Sequence, residues 1–435
     1  MLVRACSFLA ALLFAGAALA GPNDWPQYRG QNRDGKSPEK GLLKSWPKAG
    51  PTKSWTATNL GTGFAAPSVA EGKIFGMGSR DGKDGVFALN EATGKELWFT
   101  PLDASRNPNQ NVGPSSTPTF SNGKLYAVTN NNGVIARLDA KTGKIDWQKS
   151  YVGDFGSSTP IWGFCDSVLV DGDVAICAPS GSKGAIVALK ADSGEVKWAA
   201  QLGKIDNQRG GGGYSSPMKS VVGGIAMYIV VLDKDNGAIG VHADTGKLLW
   251  QHKNAAYGGV AQIPTPIVDG DRVFISTAYG GGSALLQLAA AGDTVTAKEI
   301  WSAKNDPMNH HGNMILIDGK VYFGHGQNKG IPVCYDFKTG EKVWHADREP
   351  QGANGSAAYS YADGLLYIRY QNGLMTLVKP SPNEDEHKIV SQFNLPPPND
   401  KRFSQSWAPP VIANGKMYIR DHNVLYCYNI KATTN

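Results

Sequence analysis

Short apolar runs alternate with turns rich in Asp, Asn and Gly along nearly the whole chain, and one combination recurs. An apolar run, a Thr/Ser-Gly-Lys/Glu turn, two further residues and a Trp appear as ALNEATGKELW (Ala88–Trp98), LDAKTGKIDW (Leu138–Trp147), LKADSGEVKW (Leu189–Trp198), VHADTGKLLW (Val241–Trp250) and YDFKTGEKVW (Tyr335–Trp344). Weaker copies end at Trp301 and, with Phe in place of Trp, at Phe393. Counted from Trp55, successive copies lie 43–52 residues apart. Strand-like content repeating every 40–50 residues or so predicts a β-propeller, because one four-stranded blade cannot bury both its faces alone.

A second phrase, in phase with the first, sets the count. An apolar strand, a tight turn and an aromatic-bearing strand meet at Gly72, Gly123, Gly172, Gly224, Gly270, Gly319, Gly364 and Gly415. Glycine supplies the positive φ of hairpin turns, and a preceding Asp or Asn bonds back to the backbone. Each unit parses as strands A, B, C and D, with the Thr-Gly turn between C and D. Eight markers predict an all-β, eight-bladed propeller of four-stranded antiparallel blades. The last unit stops after VLYCYNI and lacks a D strand, whereas Lys53–Ala57 is a D strand with nothing before it. The N-terminal strand is therefore expected to complete blade 8 and remove an open edge.

Composition then narrows the setting. Met1–Ala20 has Arg4, an apolar stretch and Ala18-Leu19-Ala20 before Gly21, which predicts a signal peptide cleaved after Ala20 and export to the periplasm or beyond. The apolar run falls short of the ~20 residues of a membrane span. Residues 21–50 form an extension and 51–435 the propeller. A net charge of +6 spread through the repeats predicts no nucleic-acid partner, and a monomer is expected. Past the signal, Cys334 and Cys427 share the strand-C slot of Ala88 and Ala188 and read as buried small residues. Cys165 and Cys177 fall on neighbouring strands of blade 3, which leaves a disulfide between them open. Gly30–Ser37 (GQNRDGKS) matches a phosphate-loop pattern, but neither a buried strand before it nor a helix after it is expected, so nucleotide binding is not.

Candidate chemistry gathers in the D–A and B–C loops, which share one face and are long and varied, unlike the stereotyped turns opposite. The D–A loops bring Trp162, Arg209, Tyr214, Gln262, Asn309, His310, His311, Tyr359 and Trp407 toward the channel mouth. The B–C loops bring Tyr279, His325, Asn328, Arg369 and Arg420. Converging guanidinium groups suit an anionic or carbonyl-bearing ligand. Trp162, Tyr214 and Trp407 would stack on it, and His310, His311 or His325 would move a proton if chemistry occurs. The same residues equally suit a plug whose polar groups bond loop backbone. His310, His311 and His325 offer two ligands to a metal with no third in view, so no metal site is expected.

The AxDxxTGKxxW repeat resembles the tryptophan-docking repeat of pyrroloquinoline-quinone (PQQ) dehydrogenase-like propellers. NDWPQYRGQNRDGKS (Asn23–Ser37), GYSSP (Gly213–Pro217), IPTPIV, NHHGNM and GHGQNKGIPVC (Gly324–Cys334) look like an exported PQQ-binding-like subgroup, with the lipoprotein of the outer-membrane β-barrel assembly machine a more distant relative. The resemblance implies that Trp55, Trp98, Trp147, Trp198, Trp250, Trp301 and Trp344 wedge between blades. The quinoprotein enzymes' vicinal Cys pair has no counterpart, and their calcium-binding and catalytic carboxylates find no matching positions. The expectation is a binding or scaffolding module engaging a small molecule or protein through its long-loop face, without a bound cofactor. A quinoprotein-like or sugar-directed oxidoreductase is the alternative, and PQQ the cofactor the resemblance would allow.

Overall fold

The computed structural model describes residues 20–106, 113–203, 205, 212–254, 256–382, 388–397 and 405–433. Eight sheets follow one another along the chain at 68–104, 119–150, 169–200, 218–252, 267–304, 315–345, 357–394 and 411–429. Seven are complete up-and-down antiparallel blades, and the eighth is completed by Lys53–Ala57, with Thr56 opposite Tyr426 and Ala57 opposite Leu425. The expected closure is therefore present, and the ring has no unpaired seam.

The recurring Trp owes its direction to a bulge. Every C–D pairing slips by one residue beside that position, as where Ala188 faces Trp198 but Leu189 faces Val196. A bulge re-aims the side chain it precedes, here toward the next blade. The Thr-Gly glycine of that blade receives the ring. Gly246 has φ +70°, and a Cβ there would stand 2.4 Å from the Trp198 ring. Gly94, Gly143, Gly194 and Gly340 lie under Trp55, Trp98, Trp147 and Trp301 in the same way. The Trp198 indole N–H donates to Ala243 O at 2.9 Å, and those of Trp55, Trp147 and Trp344 reach the matching carbonyls of Glu91, Ala191 and Ser381.

Two copies depart. Trp250 lies over Gly240 of its own blade with its N–H on Met227 Sδ at 3.3 Å, because blade 5 turns through a long hairpin at Gly292 that presents no Thr-Gly turn. It still packs on Val273 and Ile275 of that blade. In blade 7 the Trp slot is filled by Ser391, and Phe393 lies two residues on, covered by Gly50 and Trp46 of the N-terminal extension. The four cysteines among the described residues are free, with Cys177 in strand B and Cys165 in the loop ahead of strand A, so the open disulfide does not form. Cys334 and Cys427 face Trp344 and Trp55 as buried small residues.

The extension, for which the repeats gave no role, runs through the channel. Trp25 bonds both ways with Val69, Pro26 O accepts from Phe120 N–H, and Lys36–Ser37 adds a parallel fifth strand to blade 7. Arg33 donates to Ser167 O at 2.8 Å and Val168 O at 3.1 Å, and Arg29 to Met314 O at 2.6 Å. Both guanidinium groups are buried and donate to carbonyls just ahead of the inner strands of different blades, Arg33 also to Gln27 Oε1. The phosphate-loop look-alike, which follows Arg29 and contains Arg33, is thus part of a plug. Above it a girdle of hydroxyls joins blades 2 to 5: Thr117 N–H to Ser167 Oγ, Ser167 N–H to Ser216 Oγ, and Ser216 N–H to Thr265 Oγ1.

Asp166, beside that girdle, is buried and accepts from the Tyr151 hydroxyl at 2.9 Å and Ala178 N–H at 3.0 Å. Burial pushes its carboxyl up to about 7, although these bonds and Arg33 pull it down. Between the unfolded value of about 3.9 and the folded value, the native chain holds a proton that the unfolded chain has released. Stability contributed by this group is full in acid and falls by about 1.4 kcal/mol per pH unit across that window. Urea unfolding of the wild type and Asp166→Asn from pH 4 to 8 should show their stability difference sliding toward the variant as pH rises to 7. Parallel curves would refute a proton on Asp166.

Candidate functional site

The long-loop face holds a cavity of about 280 Å³ at the channel mouth. Its floor is made by Tyr28 of the plug and the girdle residues Thr117 and Ser216. The plug makes it a blind pocket. Its wall is a chain of rings supplied by five inter-blade connections and the B–C loop of blade 5. Phe64 lies 5.2 Å from Trp407, Trp407 stacks on His311 at 4.5 Å, and His311 lies 3.7 Å from His310. The chain continues from His310 to Tyr279 at 4.9 Å, and through Trp162 to Tyr214, each step 6.2 Å.

The polar groups that line the cavity are hydroxyls, amides, imidazoles and one thiol, all neutral. Burial holds the His310 imidazole down at about 4 and that of His311 well below the usual histidine range, so both are uncharged near neutral pH. His310 Nδ1 accepts from Asn328 N–H at 3.2 Å and lies 3.3 Å from Ser356 Oγ, which leaves the ring proton on Nε2. Nε2 has no partner, and neither has Nδ2 of Asn313, whose Oδ1 accepts from the Tyr28 hydroxyl at 3.3 Å. A buried donor left unpaired costs stability unless a ligand completes it. Cys165 also lines the pocket, but burial raises its thiol to about 12, so it is no thiolate nucleophile. Among the described residues, no Asp, Glu, Lys or Arg lines the cavity.

Of the residues expected here, Trp162, Tyr214, His310, His311, Asn328, Trp407 and Tyr279 line the pocket. Gln262 and Asn309 are buried and bond loop carbonyls, Gly258 O at 2.6 Å and Gly324 O at 3.2 Å, so they shape loops instead. Tyr359 lies in the core between blades 6 and 7. Arg369 and Arg420 do not converge on the mouth. Both are buried at strand ends, where side chains enter the layer between blades: Arg369 binds Arg420 O and Asp421 Oδ1, and Arg420 binds Gly61 O at 2.7 Å. His325 faces away from the pocket, toward Asp306 and His345. Arg209 lies outside the described residues. Phe64 and Tyr28 went unpredicted; Phe64 belongs to the D–A loop of the seam, which the closure hides by splitting blade 8 across the two ends of the chain.

An eight-bladed propeller with docked Trp rings and a blind aromatic pocket defines the class. The chain belongs to the family described as outer membrane protein assembly factor BamB, whose model matches residues 40–210 and 163–346. It is 23% identical to tetrathionate hydrolase of Acidithiobacillus ferrooxidans, over 93% of this chain and 81% of that protein. BamB from Moraxella catarrhalis shares the fold with a TM-score of 0.58 at 15% identity, covering 89% of this chain and all of that one (100%). Quinohemoprotein alcohol dehydrogenase from Comamonas testosteroni does so with a TM-score of 0.63 at 13% identity, covering 97% and 82%. No helix among the described residues is long and apolar enough to cross a membrane.

Proposed function

We propose that this protein is an exported binding module whose channel-mouth pocket takes one flat, carbonyl-bearing small molecule. Export rests on the Met1–Ala20 pattern. The pocket assignment rests on one observation: two unpaired neutral donors, His310 Nε2 and Asn313 Nδ2, belong to the lining of a cavity walled by a chain of rings. Aromatic walls give a planar ligand stacking surface, and the donors suit carbonyl oxygens.

PQQ is the cofactor of the quinoprotein relatives in the resemblance, and the described residues fit it only in part. Its flat rings match the walls, yet its three carboxylates meet no Lys or Arg, and a partner cation meets no carboxylate. Hydrolysis, the activity in the name of the Acidithiobacillus relative, is less well supported, since burial keeps the Cys165 thiol protonated and His310 Nε2 carries the ring proton and is a donor.

Trp162 and Trp407 report on the pocket by fluorescence. A naphthoquinone should quench them saturably, and naphthalene, with the same rings and no acceptors, should bind about tenfold more weakly, one hydrogen bond's worth. His310→Phe should shrink that difference while keeping a ring in the wall, since only Asn313 Nδ2 then remains to meet a carbonyl. Equal affinity for both compounds, or no saturable quenching, would refute the assignment.

A further inference from the structure

Blade 6 carries a second group of chemistry-bearing side chains outside the aromatic pocket. Strands Lys320–His325 and Lys342–His345 flank strand Ile331–Asp336, with His325 opposite Ile331 and His345 opposite Val333. Residues two apart on a strand share a face, so the two imidazoles lie on one side of the blade, and their rings are 4.9 Å apart. The loop entering the blade adds Asp306, whose Oδ1 is 3.8 Å from His325 Nδ1 and 4.0 Å from His345 Nε2. One ligand atom from each of the three lies within 4.8 Å of the others.

Two of these groups are held from behind. His345 Nδ1 is 2.8 Å from Ala346 O, so it donates there and leaves the Nε2 lone pair facing Asp306. The Tyr335 hydroxyl donates to Asp306 Oδ1 at 2.7 Å. An imidazole fixed through its far nitrogen and a carboxylate fixed by a hydroxyl are the outer-shell features of metal sites. A lone pair and a carboxylate oxygen that face each other repel unless a cation lies between them. Lys342 Nζ, 3.4 Å from Oδ2, meets the other carboxylate oxygen and is half exposed, free to swing into water.

We propose that Asp306, His325 and His345 form a site for one divalent transition metal of the zinc type, with its remaining positions open to water. Two imidazoles and one carboxylate suit zinc, nickel or copper and disfavour calcium, which takes six or more oxygens. Closing the ligands around a metal with bonds of about 2.0–2.2 Å draws them together by a few tenths of an ångström. It also exchanges the hydrogen bond from Met308 N–H to His325 Nδ1, now 3.1 Å, for a coordinate bond. The segment from Asp306 to His311 runs from this site to the pocket wall, so bound metal would fix the loop that carries His310. The sequence showed only one of the three ligands, because it placed His325 with the His310–His311 pair.

The test is calorimetric titration of Zn²⁺ into tag-free, chelator-stripped mature protein, with Ca²⁺ as the comparison ion. One Zn²⁺ per chain should bind, with Ca²⁺ at least a hundredfold weaker. His345→Ala and Asp306→Asn should each weaken Zn²⁺ at least tenfold, and His242→Ala, at a Thr-Gly turn elsewhere, should leave it unchanged. Melting without metal identifies any variant that fails to fold, and His345→Gln then replaces it. Absence of Zn²⁺ binding, binding that survives loss of His345, or equal affinity for Ca²⁺ would each overturn the site.

Discussion

A chain shortened to begin after Ala57 should lose cooperative melting and aggregate. The cut removes the D strand of blade 8 and exposes the edge of Val424–Asn429, with which Lys53–Ala57 pairs. It also removes the plug, and with it the buried Trp25, Leu42 and Trp46 and the arginine bonds to the inner strands. An unpaired edge invites pairing between molecules. If any folded form survives, its Tm should fall by more than ~10 °C, since each kcal/mol is worth about 2–4 °C in a smaller domain of 150–250 residues. A chain lacking only 21–50 keeps the ring closed and should melt between the two. Unchanged melting of the longer truncation would refute closure by the N-terminal strand.

Replacing Trp198 by Ala should cost roughly 3–5 kcal/mol in urea unfolding, the range of a large aromatic removed from a packed site. The ring is buried between blades 3 and 4, lies against Gly246 and Tyr228, and spends its N–H on Ala243 O. The cavity left behind cannot collapse easily, because the bulge and the Thr-Gly turn fix both walls. Trp407→Ala should cost much less, since Trp407 is half-buried on a loop. A loss at Trp198 no larger than at Trp407 would mean that the repeated Trp is not what docks one blade on the next.

What could be seen in the sequence follows from what repeats. The turn and Trp phrases recur, so each copy corrects the others and the blade count follows, while closure was legible from one strand left over at each end; Trp250 and Phe393 depart only where the neighbouring turn differs. Trp162, Tyr214, His310, His311 and Trp407 were legible because variable loops over a regular frame can only meet at the axis. Arg369 and Arg420 were misplaced because their position at strand ends does not reveal whether a side chain points up to solvent or sideways into the next blade. The plug was invisible because residues 21–50 repeat nothing, and its arginines bond backbone carbonyls that no side-chain pattern announces.

The central claim, a blind aromatic pocket made for one acceptor-bearing ligand, is tested most directly by native mass spectrometry of the protein isolated from its own cells. The wild type should carry a single small molecule per chain, lost in His310→Phe and Trp407→Ala variants that melt like the wild type. A ligand retained by both variants, or a wild type that arrives empty and takes up no naphthoquinone, would contradict it.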